Sequence, residues 1–347
     1  MTDSVKNILS EETIKYDNNG NVVEIYKREP SGIGNYDNIT VERDGQVYKL
    51  QGTYIDQTTG ETVVKKEFES PSGTQTTSEY RVNENGDYTF TYYITDKDNN
   101  VLLEKTQSFE HLSDTITKTV VDGQVYIAEF TEDTVIITGP NNETYELDLR
   151  KILGENDEFA KQNFEMLKNM PANQLPRMLE EGFTITDGFS PHANFSGGVE
   201  MPFLKEIKYG TAEDLINIFL HEFGHVIDGH KEGGNETQFN LISGDEEFLE
   251  TFKKELEAFR ALASSLTQLD MHHFTDEGLT EMVAEANMIL NGHWSEILGS
   301  RTIAMQQYFP ETIAVVSKLI EKQLNKVREK YSTPAGNSTQ NNPFIPE

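Results

Sequence analysis

From residue 14 to about residue 149, apolar and polar positions alternate in short runs broken by Asn, Asp and Gly, the pattern of strands joined by tight hairpins. Asp44-Gly45-Gln46-Val47-Tyr48 returns further on as Asp122-Gly123-Gln124-Val125-Tyr126. Asp17-Asn18-Asn19-Gly20-Asn21-Val22-Val23 has a looser echo, at nearly the same offset, in Asp96-Lys97-Asp98-Asn99-Asn100-Val101-Leu102. The agreement of the two offsets predicts a duplicated β unit, 1–78 and 79–150, laid out as one long antiparallel meander or as two similar small sheets. His111 is the only histidine of this region and reads as a solvated surface residue.

Past Arg150 the period changes from two to three and four. Phe159, Phe164 and Leu167 mark an amphipathic helix over 155–170, stopped by Pro171 and followed by a shorter helix to residue 181. A strand over 183–187 and an extended segment over 198–209 come next, and then Leu215, Ile218, Phe219, Val226 and Ile227 predict a buried helix over 214–229. Thr211 with Asp214 gives that helix a capping box, and Gly229 gives it a terminator. Further helices are predicted over 245–266, over 275–290 with Leu279, Met282, Val283, Ala286 and Ile289 on one face and Gly292 as its stop, and over 311–331. The tail 332–347 is rich in turn formers and poor in apolar residues, so it reads as disordered. The class is therefore α+β: an N-terminal antiparallel β repeat module, then a mostly helical domain over 151–331 with a small sheet.

Charge narrows the partners. The net charge of -30, from 59 acidic and 29 basic residues, excludes nucleic acid and anionic membrane surfaces, which need clustered Lys and Arg. No run approaches the roughly 18 apolar residues of a membrane span, and the first ten residues lack the apolar core of a secretory signal, so any export would use another route. The chain has no cysteine, so a metal would have to be held by His, Asp or Glu.

Such a constellation is present in His221-Glu222-Phe223-Gly224-His225. Histidines four apart on a helix project from one face, where both imidazoles reach one ion at about 2.0–2.1 Å. The intervening Glu222 is then placed to take a proton from an activated water, the chemistry of the His-Glu-x-x-His pattern in zinc peptidases. A two-histidine site needs a third protein ligand, and the candidate is Glu281, well downstream of His225, with Glu285 one turn further to hydrogen-bond a ligand histidine. The extended segment 198–209, carrying Glu200 and Phe203 as substrate-binding residues, is well placed to pair with an extended peptide by strand addition.

Together, His221-Glu222-Phe223-Gly224-His225-Val226-Ile227-Asp228, Glu281-Met282-Val283-Ala284-Glu285-Ala286 and the apolar helix after Phe309-Pro310-Glu311 resemble the catalytic domain of anthrax lethal factor and the Pro-Pro endopeptidases, of the gluzincin group, over about residues 180–330. The resemblance implies a zincin-like metalloendopeptidase with Zn2+, a protein or peptide substrate, and an effector or toxin role after secretion or injection. It gives the first glutamate of Glu-x-x-Ala-Glu as the ligand and the second as support for a histidine, in agreement with Glu281 and Glu285. A third histidine of the metzincin kind would fall at position 231, which is Lys231. The family's tyrosine, seven positions before the ligand glutamate, is Phe274 here, preceded by His272 and His273. That change leaves His273 as the candidate oxyanion donor and Phe274 as a substrate-side residue. Two other readings fit the same residues: a weak or inactive zinc-binding relative, and a structural protein whose β repeats do the work of recognition or delivery.

Overall fold

The structure is a computed structural model that describes residues 10–16, 19–33, 36–43, 45–153, 157–179, 183–187, 192–193, 199–201, 212–228, 242–262, 278–292 and 299–332. It is α+β, an N-terminal antiparallel sheet of 12 strands followed by helices. The strands are β1 (Glu11–Tyr16), β2 (Val22–Ile33), β3 (Tyr36–Arg43), β4 (Gln46–Ile55), β5 (Thr62–Glu69), β6 (Gln75–Val82), β7 (Tyr88–Thr95), β8 (Val101–Ser113), β9 (Ile116–Val121), β10 (Gln124–Phe130), β11 (Thr134–Thr138) and β12 (Thr144–Asp148). Each pairs only with its neighbours in sequence, so the repeat builds one meander and not two sheets. Arg43 of β3 pairs with Gln46 of β4, and the second Asp-Gly motif sits at a two-residue turn between β9 and β10. At the second, Asp122 and Gly123 both take positive φ, 50° and 81°, the type I′ geometry that matches strand twist. The repeat offset sets β1 against β7 and β3 against β9, which makes six strands per unit. Six strands precede the turn after Val82 and six follow it.

Alternation decides which face is covered. Along β7, Tyr88, Phe90, Tyr92 and Ile94 are buried, while Thr89, Thr91 and Tyr93 are exposed. Register extends that buried face sideways: Val64, Tyr80, Phe90 and Gln107 lie opposite one another across β5 to β8. What covers it is the second half of the chain. After the short helix α1 (Leu149–Leu153) come α2 (Asp157–Lys168), a 3-10 turn (Leu175–Leu179), and α3 (Ala212–Asp228). Then follow α4 (Glu246–Leu262), α5 (Leu279–Leu290), α6 (Gly299–Tyr308) and α7 (Pro310–Tyr331). One apolar core runs from Val64 through Phe90, Tyr126 and Leu147 into Phe219, Met282 and Leu324. The change of composition at residue 150 is thus not a break in the core. A smaller cluster of Ile39, Val41, Leu50 and Phe68 is packed by Ile303 of α6.

Polar contacts tie the two layers. Arg328 of α7 sits over the Tyr126 ring at 5.1 Å and donates to the Asn173 carbonyl. Helix α7 opens on Pro310, pre-set for the first helical position, after Phe309, whose side chain cannot cap it; Glu255 of α4 accepts the Glu311 and Thr312 N–H groups at 2.9 and 2.8 Å in its place. His111 corrects the sequence reading: its Nδ1 lies 3.0 Å from Asp87 Oδ1 and its Nε2 3.2 Å from Asn169 Oδ1, so it joins β8 to the end of α2 and is not a solvated surface residue.

The second sheet has three strands in the order β13 (Ile185–Asp187), β15 (Val199–Met201), β14 (His192–Ala193), beside α3. Strand β15 is its interior member, parallel to β13 and antiparallel to β14. The expectation of an edge open to a peptide therefore fails over these residues: Glu200 faces Thr186 on one side and His192 on the other. Phe203 lies outside the described residues, as do the Thr211 cap, the Gly229 stop and the tail beyond Ser332. Among the described residues, no helix is long and apolar enough to cross a membrane.

A shared core makes the sheet and helices unfold together. Phe90→Ala, in β7, should cost about 3–5 kcal/mol and lower the melting of helix and strand signals alike, read by circular dichroism. Helices that melt unchanged while the sheet melts early would contradict a common core.

Candidate metal centre

Helix α3 is buried on nearly every side from Phe219 to Asp228, because it lies between the small sheet and α5. Phe223 packs edge-on against Phe183 and stacks on Phe219. The last turn is held from two directions. Arg177, from the 3-10 turn, donates to the Val226 carbonyl at 2.9 Å. Asp228, fully buried, accepts from the Ile242 and Ser243 N–H groups and the Ser243 hydroxyl, at 2.8, 2.8 and 2.6 Å.

The crossing with α5 is unusually close at one point. A methyl group on Gly224 would stand 2.6 Å from Ala284 Cα, so Gly224 cannot grow without parting the helices. The far end of α5 is seated on the large sheet, where Gly292, at φ 78°, fits against the Phe90 ring. Asn287 of α5 donates to the Leu220 carbonyl of α3 at 2.7 Å.

This crossing brings the two sequence motifs together. His221 Nε2 lies 3.3 Å from Glu281 Oε2, and His225 Nε2 lies 3.4 Å from Glu281 Oε1. The imidazole rings stand 5.2 Å apart and nearly perpendicular, and one donor atom from each of the three residues falls within a 4.8 Å group. Donors around a tetrahedral ion at about 2.0–2.1 Å are separated by about 3.3 Å, so the spacing fits a metal ion. The other side of His221 faces Glu285, whose Oε1 is 3.7 Å from Nδ1. His221, Glu222, His225 and Glu285 are all buried, while Glu281 is a third exposed and marks the solvent side. Two imidazoles and a carboxylate suit a borderline divalent cation, without choosing among such ions.

Electrostatics reflects the same crowding. Burial works against the carboxylate charge of Glu281, but the His221 and His225 contacts outweigh it and hold the group well below the usual carboxylate range. Burial likewise disfavours a charged His221, and Glu281, Glu285 and Glu222 overcome it and raise its pKa.

Of the residues singled out in the sequence, the structure brings together His221, Glu222, His225, Glu281 and Glu285. Glu200 is placed only as part of the β15 backbone, and His273 and Phe274 lie outside the described residues. Sequence reasoning passed over Gly224, Ala284 and Asn287. Their signal was a glycine and an asparagine, both poor helix formers, inside helical patterns, where each needs a reason to be there. In comparisons with known proteins, no family model, no curated protein and no solved structure matches the chain.

In an exposed helix, Gly→Ala is stabilising by up to about 1 kcal/mol, but Gly224→Ala should cost about 1–3 kcal/mol by overpacking, measured by denaturant unfolding; stabilisation would refute the close approach. Metal-free protein should also show a pH signature. The Glu281 contribution is present above about pH 4.3 and lost as pH falls through its depressed folded pKa, and the His221 contribution is full below about pH 6.5 and lost as pH rises through its raised one. The stability gap between wild type and Glu281→Gln in chelator should therefore be widest between about pH 4.3 and 6.5, and a gap independent of pH would count against the pairing.

Proposed function

We propose that the chain is a zinc-dependent endopeptidase of the zincin type, with His221, His225 and Glu281 as the metal ligands. The observation that carries the reading is the convergence of those three donors beside Glu222. Zinc held there would supply Lewis acidity toward a scissile carbonyl and acidify the attacking water to a pKa of about 7. Glu222, adjacent to His221 and buried beside it, accepts the proton that the water loses and returns it to the leaving amine, so the residue ends each turnover unprotonated. Glu285, on the Nδ1 side of His221, keeps the ring turned with Nε2 toward the site. The solvent side at Glu281 is the route by which a peptide chain reaches the ligands. The resemblance to the lethal factor and Pro-Pro endopeptidase group supports the same reading, and it also suggests an effector role outside the producing cell.

Purified protein should carry one zinc per chain and cleave members of a diverse peptide library, both measured on the full chain. Glu222→Gln should retain the zinc and lose cleavage by at least about 10²-fold, the lower range for removing a positioned general base. A chain that takes up no zinc, or a variant that cleaves like wild type, would remove the proposal.

A further inference from the structure

We infer that Asn287 is a positioning residue for the metal site, setting the roll of α3 against α5 from the far side of their crossing. The inference rests on the reading of His221, His225 and Glu281 as a metal centre. Asn287 is fully buried, and its Nδ2 donates at 2.7 Å to the carbonyl of Leu220, the residue before the first ligand. In a regular helix that carbonyl already accepts the N–H four positions on, from Gly224, so the Asn287 bond is a second one on the same oxygen and is not needed to satisfy it.

Its value lies in where it acts. With 3.6 residues per turn, Asn287 lies to one side of Ala284 on α5, while Glu281 and Glu285 lie to the other. The Gly224–Ala284 contact fixes how near the helices come, but it leaves the roll of α3 at the ligand turn less fixed than at its last turn, which Arg177 and Asp228 hold. Side-chain tips stand about 5–6 Å from a helix axis, so a roll of only about 10° displaces them by about 1 Å. Metal–ligand distances tolerate about 0.2 Å. The amide bond, on the flank opposite the glutamates, removes that freedom.

Asn287 is itself held. The amide of Asn291, one turn on, donates to the Asn287 carbonyl at 2.7 Å and lies 3.4 Å from its Oδ1. Gln107 of β8, through one Nε2, reaches the Asn291 carbonyl at 3.3 Å and the Tyr88 hydroxyl at 2.9 Å. A line of hydrogen bonds thus runs from the large sheet through α5 to the helix that carries both histidines. Asparagine is a poor helix former, and a buried amide gains little over an apolar side chain of similar size. The side-chain amide nitrogens of Asn287, Asn291 and Gln107 are all engaged, and buried bonds of this kind hold neighbouring elements in one arrangement, which is what a ligand set spread over two helices requires.

The test compares zinc affinity, by competition with a chromophoric chelator, and the visible spectrum of the cobalt-loaded full chain. The variants are Asn287→Ala and the milder Asn287→Ser. Asn163→Ala is the control, since Asn163 is equally buried and donates to a helix carbonyl, that of Phe159, in α2. Loss of positioning should weaken zinc by about 10- to 100-fold and alter the cobalt spectrum in both Asn287 variants, whereas the control should lose stability in chelator with affinity unchanged. Asn287 variants that bind zinc like wild type, however destabilised, would overturn the positioning role. A wild-type chain that binds neither zinc nor cobalt would overturn the metal reading on which it rests.

Discussion

The arrangement depends on a contact between two backbones, Gly224 of α3 against Ala284 of α5, with no room for a further methyl group. Helices that meet through large side chains stand apart by the size of those side chains. Here the smallest residues lie at the crossing, and the polar groups to either side become neighbours. Glu281 then spans both imidazoles, while Glu285 comes up behind His221. The rest of the chain serves this contact: Arg177 and Asp228 hold the end of α3, and Phe90 and Gln107 seat the end of α5.

The charges collected by that contact are poorly matched without a cation. Three carboxylates, Glu222, Glu281 and Glu285, act on His221, and all of the groups but Glu281 are buried. Burying carboxylates is costly unless each finds a positive partner or strong donors. Those carboxylates raise the pKa of His221 against the cost of burying its charge. A divalent ion among the same donors would match these carboxylates more fully than one proton on His221. Protons and metal would compete for the same atoms.

Much of this was legible in the sequence, and for identifiable reasons. Alternation and Asp-Gly turns are local signals, so the strands and their duplication could be read directly. The proximity of Glu281 to two histidines far from it in the chain was also readable, because the search for a third ligand looks for a residue type and not for a neighbour in sequence. What covers a buried face is not local, and there the reading fell short. The core crosses residue 150, β15 lies inside its sheet, and His111 is engaged on both ring nitrogens, all through partners distant in sequence. Helix α6 escaped because its apolar residues are few and weakly periodic, and it is kept by Ile303 against β-sheet side chains.

The duplicated pentapeptide separates these two kinds of information within one molecule. In both copies the tyrosine hydroxyl donates to the glutamine two positions before it, Tyr48 to Gln46 at 2.9 Å and Tyr126 to Gln124 at 3.1 Å. The local geometry is therefore copied along with the sequence. Yet Tyr48 is 46% exposed and Tyr126 only 2%, because Arg328 and the end of α7 close over the second copy. The same tyrosine lies on an outer hairpin in one unit and in the shared core in the other. Since that core also carries Phe90, and Gln107 beside it, on which α5 is seated, the second β unit is part of the scaffold that places His221, His225 and Glu281 and not an appendage to it.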